Sequence, residues 1–296
     1  MIIGYGSTAH CLYLLFLLFC FLGLYFLFRN RPKKEQYAVL LAMMGLNILQ
    51  HLFKAQLYPH MYGTGFTLEN TAYNVCAFLI LVQPFFLFSK NKVWKNLVFY
   101  VGSVGPLLAL LAPTWFLGKT IWQWEFLRFF LCHALLFLTS ILPIAWGITR
   151  ISHRYCWKIG LAFLFMLLIV LINDIACIFI GWYGDAKNLY EELMGLNPLW
   201  LMHPPEGFEP IVKIFTALTP SLFLPSASNP YYTPILWYAI PFWLLVTLLG
   251  FIVGALSDTE NFKRDAKAFA SFLKFLGRKI RNGVARVYRK IFCSHD

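Results

Sequence analysis

The sequence contains few charged residues. Asp, Glu, Lys and Arg make up 13% of its 296 residues, about half the share found in soluble domains. Hydrophobic residues make up 59%, and apolar runs such as 12–28 and 159–172 carry no charge. Because about 20 mostly apolar residues suffice to cross a bilayer, this composition excludes an ordinary soluble protein. It predicts an all-α, polytopic membrane protein.

The chain also lacks the short motifs of several enzyme classes. It contains no CxxC, HExxH or GxSxG sequence and no phosphate-binding glycine loop. None of the seven cysteines falls in a predicted outer loop, so no disulfide framework is predicted. His51 and His133 could ligate a haem from separate helices, but two histidines are weak grounds for one. We therefore expect no metal or cofactor.

Seven segments are long and apolar enough to be membrane spans: 9–28, 37–57, 71–89, 93–113, 125–149, 157–181 and 235–256. We predict a bundle of seven transmembrane helices over residues 1–256, with an outer loop at 182–234, followed by a tail at 257–296. We expect the first span to be an anchor rather than a cleavable signal peptide. Four basic residues follow it directly: Arg29, Arg31, Lys33 and Lys34.

The distribution of positive charge predicts the topology. The net charge is +12, and an outside N-terminus places twenty Lys and Arg residues in cytoplasmic segments but only three in outer segments. This asymmetry is what the positive-inside rule describes. It favours an outside N-terminus, a cytoplasmic C-terminus and a multi-pass protein of the cell membrane. Since topology accounts for the basic charge, we expect no nucleic-acid partner.

The tail has the pattern of a basic amphipathic helix. Apolar residues recur every three or four positions from Phe262 to Ile291, and Lys and Arg occupy the other faces. Such a helix binds anionic lipids of the inner leaflet, and that is the partner we expect for the tail. A solvated helix, or one docked on the bundle, is the alternative.

Polar side chains inside the predicted spans are the strongest functional signal. They are costly in a membrane and normally face the bundle interior. At 1.5 Å rise per residue, four of them lie about 8–12 Å below the outer boundary: His51, Cys76, His133 and Asp174. Asn74 and Asn173 neighbour this layer, while Lys54 and Arg128 lie above it, at the predicted depth of a lipid phosphate. We expect a cavity that opens toward the outer leaflet and binds membrane phospholipids.

A thiol with a neighbouring base permits nucleophilic chemistry. Cys76, with His51 or His133 as base, could attack a lipid ester and hold the acyl group as a thioester. Oxyanion stabilisation would come from Asn74, Asn173 or Lys54, and Asp174 would orient a histidine. Each residue also has a structural interpretation: histidines join helices, cysteines pack, and Asp174 is a counter-ion of Lys54 or Arg128.

The segment ENTAYNVCAFLILVQPFFLFSKNKVWKNLVFYVGSVGPLLALLAPTW (69–115) resembles the YwaF-type integral membrane proteins. In that family a Leu-Pro-Leu-x-x-Cys sequence opens one span, and a glycine-rich span ending in Leu-x-x-Pro follows. The positions that match are Cys76, Gly102, Gly105 and Pro113. Ala72 departs from the pattern, because the family has proline there.

Three further segments resemble the same family, and the likeness covers residues 37–256. EFLRFFLCHAL (125–135) places His133 at a family histidine, and NPYYTPILWY (229–238) resembles the start of the last span. NPLWLMHPP (197–205) resembles a third motif, with Leu199 replacing tyrosine. The family includes animal relatives proposed to be phospholipid acyltransferases with a membrane cysteine. The resemblance implies a seven-span bundle in which the cysteine and the histidine form the reactive pair.

Our leading hypothesis is a lipid acyltransferase or lipid hydrolase in which Cys76 is the nucleophile and His133 the base. His51 is then a second base or an orienting residue, and Lys54 and Arg128 contact phosphate. Two alternatives remain open at this stage. One is a lipid or small-molecule transporter without covalent chemistry, and the other is a structural or signalling partner that acts through its tail and outer loop.

Overall fold

A computed structural model describes residues 1–57, 59–62, 65–197 and 235–292, together with the single positions 213, 217, 221 and 224. The described residues are helical and contain no strand. Met1 to Ile3 run beside 118–121, with one isolated antiparallel bridge between Ile2 and Thr120. The motifs at 197–205 and 229–238 and most of the predicted outer loop lie outside the described residues.

The helices within the described ranges are α1 Thr8–Phe28, α2 Lys33–Leu52, α3 Lys54–Leu57, α4 Pro59–Tyr62, α5 Val75–Phe88, α6 Lys92–Leu111, α7 Trp124–Ala145, α8 Cys156–Phe179, α9 Leu189–Leu196, α10 Ile235–Ser257 and α11 Thr259–Phe292. All seven predicted spans therefore coincide with helices. Several begin at a polar cap that satisfies an unpaired backbone N–H. Ser7 accepts from the His10 N–H at 3.2 Å before α1, and Asn91 accepts from the Val93 N–H at 2.9 Å before α6.

Five stretches of the described residues are long and apolar enough to cross a membrane: 8–28, 68–88, 92–111, 124–145 and 153–179. The count rises to six if the bent pair of helices Trp243–Ser257 and Thr259–Val284 forms one span. The chain is thus a multi-pass membrane protein. α2 is not among the five, because polar residues such as Gln36, Asn47, Gln50 and His51 lower its mean hydropathy.

The second and third predicted spans have different helix bounds from those expected. α2 ends at Leu52, and after Phe53 only the short helix α3 continues toward residue 57. α5 begins at Val75, not at residue 71, and has 14 residues. At 1.5 Å per residue it is about 21 Å long, shorter than the ~30 Å hydrocarbon core. The stretch 68–88 is long enough to span only if the residues before α5 contribute.

The bundle is held by two apolar cores. The first joins α5, α6, α7 and α8 around fully buried side chains such as Leu97 and Met166. The second joins α1, α2 and α7 around Leu40 and Leu142. Gly102 lets α6 approach α7 closely, since a Cβ at this position would collide with the Ser140 hydroxyl. Small residues at such contacts are typical of packed membrane helices.

A buried polar contact also ties α5 to α7. The Gln83 amide donates to the Ser140 hydroxyl at 2.9 Å, and the Thr139 hydroxyl donates to the Gln83 amide oxygen at 2.9 Å. All three side chains are buried. Hydrogen bonds between membrane helices fix their register, so α5 has a defined position relative to α7.

Candidate functional site

Cys76 lies in the first turn of α5. Asn74 is the N-cap of this helix, and its side chain accepts a hydrogen bond from the Ala77 N–H at 2.8 Å. The thiol-bearing residue is half-buried and packs against the core of α5, α6, α7 and α8. As at any helix start, the N–H groups of the first turn have no partner within the helix. Cys76 therefore combines a nucleophilic atom with backbone donors.

Residues 67–74, which we call the lead-in segment, carry the chain into α5. Polar side chains from the end of α2 and from α3 hold this segment. His51 donates from Nε2 to the Thr71 carbonyl at 2.9 Å, and Asn70 donates to the Leu52 carbonyl at 3.0 Å. Lys54 forms an ion pair with Glu69 at 3.4 Å.

The lead-in segment explains the polar face of α2. Non-helical backbone at membrane depth is tolerated only where its polar groups are satisfied within the protein or by a water-filled cavity. His51 satisfies a carbonyl of the lead-in segment, and it is 4% exposed. Asn47 lies one turn earlier and donates to the Cys132 carbonyl of α7 at 3.1 Å, and Gln50 donates to Asn47 at 2.7 Å. The polar face thus bridges α2 to two neighbouring elements.

α8 holds the lead-in segment from the other side. Asn173 donates to the Thr71 hydroxyl at 2.8 Å and to the Asp174 carboxylate at 3.2 Å. The Thr71 hydroxyl in turn donates to the Leu68 carbonyl at 2.6 Å. Asp174 is fully buried. A continuous set of hydrogen bonds therefore runs from His51 through Thr71 and Asn173 to Asp174.

His133 is oriented differently from His51. Its Nδ1 lies 2.8 Å from the Phe129 carbonyl, and a carbonyl oxygen can only accept. Nδ1 must carry the proton in this bond, which leaves the Nε2 lone pair of a neutral ring available to accept. His51 has the opposite arrangement, because its Nε2–H is used at Thr71. Of the two histidines, only His133 has Nε2 available as a base.

Two basic side chains lie beside the site. The Lys54 side chain is fully buried and its ammonium is 5.2 Å from the centroid of the Tyr73 ring. Arg128 is half-buried on α7, five residues before His133. Lys54 and Arg128 are within electrostatic range of each other and of the Cys132 thiol, which is itself within range of Cys76. Positive charge therefore lies near the Cys132 thiol, one residue before His133 in α7.

The structure brings together part of the predicted set. His51, Lys54, Asn173 and Asp174 all meet at the lead-in segment, and Asn74 is a helix cap whose side-chain oxygen is already used. Both histidines are oriented by backbone carbonyls, and Asp174 is bonded by Asn173. Across the described ranges, no hydrogen bond joins the Cys76 thiol to either histidine.

Sequence reasoning missed the side chains that shape the lead-in segment: Glu69, Asn70 and Thr71. It also missed that Asn74 begins a helix. Signals for both were present, since Asn is a favoured N-cap and Thr67 and Asn70 form a capping box. The predicted span 71–89 was set by the apolar residues after Asn74 and so included the polar residues before it.

Comparison with known proteins agrees with this architecture. A family model described as the TMEM164 family matches residues 5–255. That range includes every residue of the candidate site and all the membrane-spanning helices up to α10. No curated protein and no solved structure matches the chain significantly. The match extends over most of the sequence, and the chain therefore belongs to the TMEM164 family, a family of membrane proteins.

Proposed function

We propose that this chain is a membrane-embedded phospholipid acyltransferase or lipid hydrolase with Cys76 as nucleophile and His133 as general base. The observation that carries this assignment is the position of Cys76 in the first turn of α5. A helix N-terminus favours negative charge and presents N–H groups to it. An acyl-transfer reaction needs negative charge to be stabilised twice, first on the attacking thiolate and then on the oxyanion of the tetrahedral intermediate.

The reaction has two balanced halves. His133 Nε2 takes the thiol proton, sulfur bonds to the ester carbonyl carbon, and the C–O bond breaks. The departing lipid oxygen receives the proton from His133, and a thioester remains on Cys76. An alcohol of a second lipid, or water, then gives its proton to His133 and attacks the thioester carbonyl. The C–S bond breaks, and the thiol recovers the proton.

The remaining site residues either position the backbone around Cys76 or bind the lipid. His51, Asn173 and Asp174 position the lead-in segment. Asn74 takes the Ala77 N–H, which leaves the Val75 and Cys76 N–H groups to stabilise the oxyanion. Arg128 and Lys54 attract the lipid phosphate to this end of the bundle. Because catalytic hydrogen bonds commonly tighten only when substrate is bound, the approach of His133 to the thiol belongs to the lipid complex.

The accompanying topology is a seven-span bundle at residues 1–256 in the cell membrane, with the N-terminus outside and the tail 257–296 in the cytoplasm. In this arrangement α2 and α10 complete the seven spans, and the Cys76 end of the bundle opens to the outer leaflet. The likeness of the 69–115 segment to YwaF-type proteins supports the acyl-transfer assignment. With the likeness of 125–135, it implies Cys76 and His133 as the reactive pair.

A lipid carrier or transporter without covalent chemistry is the second candidate. It is favoured by the apolar packing of Cys76 and by the absence, among the described residues, of a hydrogen bond between its thiol and a histidine. In a carrier, the basic pair would bind the headgroup and the cysteine would only pack.

Intact-protein mass spectrometry after incubation with mixed phospholipids distinguishes the two. We expect a fatty-acyl mass increment that neutral hydroxylamine removes and that Cys76→Ser abolishes. Cys132→Ser is the matched control, because it removes the neighbouring thiol and should retain the increment. An unmodified wild-type mass while lipid binding is demonstrable would favour the carrier. An increment that persists in Cys76→Ser would overturn the choice of nucleophile.

A further inference from the structure

The direction of α11 sets it apart from the spans. The helix Thr259–Val284 makes an angle of 110° with Trp243–Ser257 of α10. Because α10 packs along α8, which is a span, a helix roughly perpendicular to it runs nearly parallel to the membrane plane. α11 therefore leaves the bundle sideways, at the end opposite Cys76.

Contacts at the start of α11 decide which of its faces points toward the membrane. The Phe262 ring meets the His153 ring edge-on, with centroids 5.3 Å apart, and the Phe251 ring at 5.8 Å. Phe251 belongs to α10 and lies about 9 Å before its end at Ser257. The face of α11 that carries Phe262 is therefore turned back toward the span.

The same face continues as an apolar stripe beyond the bundle. Large side chains at helical spacing follow Phe262, and they are exposed: Phe269, Phe272, Leu273, Leu276, Ile280 and Val284. Phe269 is 61% and Ile280 58% exposed. An exposed apolar stripe of this length is typical of a helix at a membrane interface.

The opposite side of α11 is strongly basic. Thr259–Phe292 contains ten Lys and Arg residues against two acidic residues, Glu260 and Asp265. Lys267, Lys274, Arg278 and Arg281 lie on the faces away from the stripe. Each Lys or Arg near an anionic membrane surface contributes about 1 kcal/mol to the binding free energy. The basic charge of α11 therefore favours anionic lipids over neutral ones.

A charged clamp fixes the orientation of α11. Arg154, in the loop between α7 and α8, donates from Nε and Nη2 to the two Asp265 oxygens, each at 2.6 Å. His153 Nε2 lies 3.2 Å from the same carboxylate. A bidentate Arg–carboxylate pair restricts rotation as well as distance, so the contact favours this rotational position of α11 over others.

We infer that α11 is a docking surface for an anionic phospholipid membrane, with its stripe in the interfacial region and its basic faces among the headgroups. In cells the anionic leaflet is the cytoplasmic one, on the side where the proposed topology places the tail. This interaction does not depend on the chemistry at Cys76. It anchors the end of the bundle opposite the candidate site.

Hydrogen exchange of the full chain in lipid nanodiscs tests this surface. Backbone exchange over residues 266–284 is compared between phosphatidylcholine discs and discs containing phosphatidylserine. We expect exchange to be about tenfold slower or more in the anionic discs, with high salt removing the difference.

Three variants separate the contributions of the stripe and the charge. L273Q with I280Q should speed exchange in both kinds of disc, while K274Q with R278Q and R281Q should abolish only the effect of phosphatidylserine. S271Q, on the polar side, is the matched control and should change nothing. Equal exchange in both discs, insensitive to L273Q with I280Q, would overturn the inference. So would protection that arises only when a cytosolic protein is added, since the occupant would then be a protein.

Discussion

The two ends of the bundle hold irregular backbone in different ways. At the Cys76 end, mostly neutral and directional hydrogen bonds from buried side chains such as His51 and Asn173 secure the lead-in segment. At the opposite end, the exposed charges of Arg154 and Asp265 secure the start of α11. Buried ions are costly to desolvate whereas neutral groups need only a partner. The hydrogen bonds around the lead-in segment should therefore be strong and insensitive to salt. The Arg154–Asp265 clamp should be weak and sensitive to salt.

The largest expected effect is on catalysis at the buried end. His133→Gln should lower the acyl-transfer rate by about 10²- to 10⁴-fold, the usual contribution of a general base. His51→Gln should lower it less, because His51 acts through the lead-in segment. Rates measured with a defined phospholipid across pH test this: loss, only in H133Q, of the acidic limb, where the base becomes protonated, supports the assignment. Equal losses and unchanged profiles in both variants would contradict it.

The next effect is on stability. His51→Phe removes the donor to the Thr71 carbonyl and leaves that carbonyl buried and unsatisfied, which costs about 1–3 kcal/mol. A denaturation midpoint in detergent should fall clearly, and 3 M salt should not alter the difference. Phe53→Leu, an exposed apolar change two residues away, is the control. A midpoint equal to wild type in His51→Phe would show that the lead-in segment does not need this bond.

Removing the α5 cap should have a smaller effect on stability but a visible one on activity. Asn74→Ala loses the bond to the Ala77 N–H and costs about 1 kcal/mol, with a range of roughly 0.5–2. Asn74→Asp and Asn74→Ser retain a capping oxygen and should restore both stability and acyl transfer. If Ala, Asp and Ser behave alike, Asn74 acts through its amide and not as a cap.

Weakening the exposed clamp should leave global stability almost unchanged. Asp265→Asn removes the charge that Arg154 and His153 share, and exposed ion pairs contribute little to folding. Local exchange at residues 259–268 should nevertheless accelerate, and 1 M salt should have the same effect on the wild type. Glu260→Gln, the same neutralisation at a carboxylate outside the clamp, is the control. If exchange over residues 259–268 in Asp265→Asn were not faster than in the wild type, the ion pair would not hold the start of α11.

Acid should open the same clamp in the wild type. The Arg154 hydrogen bond holds the pKa of Asp265 below its usual range, with His153 also contributing, and Arg264 lies 4.0 Å away. A lowered folded-state pKa means that the contribution is complete above the ordinary carboxyl pKa of about 3.9 and is lost as pH falls through the lower value. Exchange at 259–268, corrected for its intrinsic pH dependence, should be constant from pH 7 to about 5 and rise below about 4. A rise already between pH 7 and 5 would contradict this assignment to Asp265.

Sequence and structure agree where the signal is local. The apolar runs located each predicted span on a helix, because hydrophobic length alone decides where a chain can cross a membrane. The depth argument grouped His51 with Asp174, and both do belong to the hydrogen bonds around Thr71. The depth argument did not anticipate that these side chains hold the lead-in segment, because a lipid-facing cavity and a stretch of irregular backbone both require polar side chains at the same depth.

By itself, the sequence determined the class of the protein, the positions of its helices and the amphipathic character of its tail. These follow from composition and periodicity, which depend only on neighbours along the chain. Tertiary structure decided that α5 starts at Val75, that His133 and His51 expose different ring nitrogens, and that α11 turns 110° away from α10. Three contacts of these regions join partners distant in sequence, His51 with Thr71, Thr71 with Asn173 and Arg154 with Asp265. The His133 ring, by contrast, is set by Phe129 one turn away. Directional hydrogen bonds between distant partners leave no trace in the pattern of either segment alone.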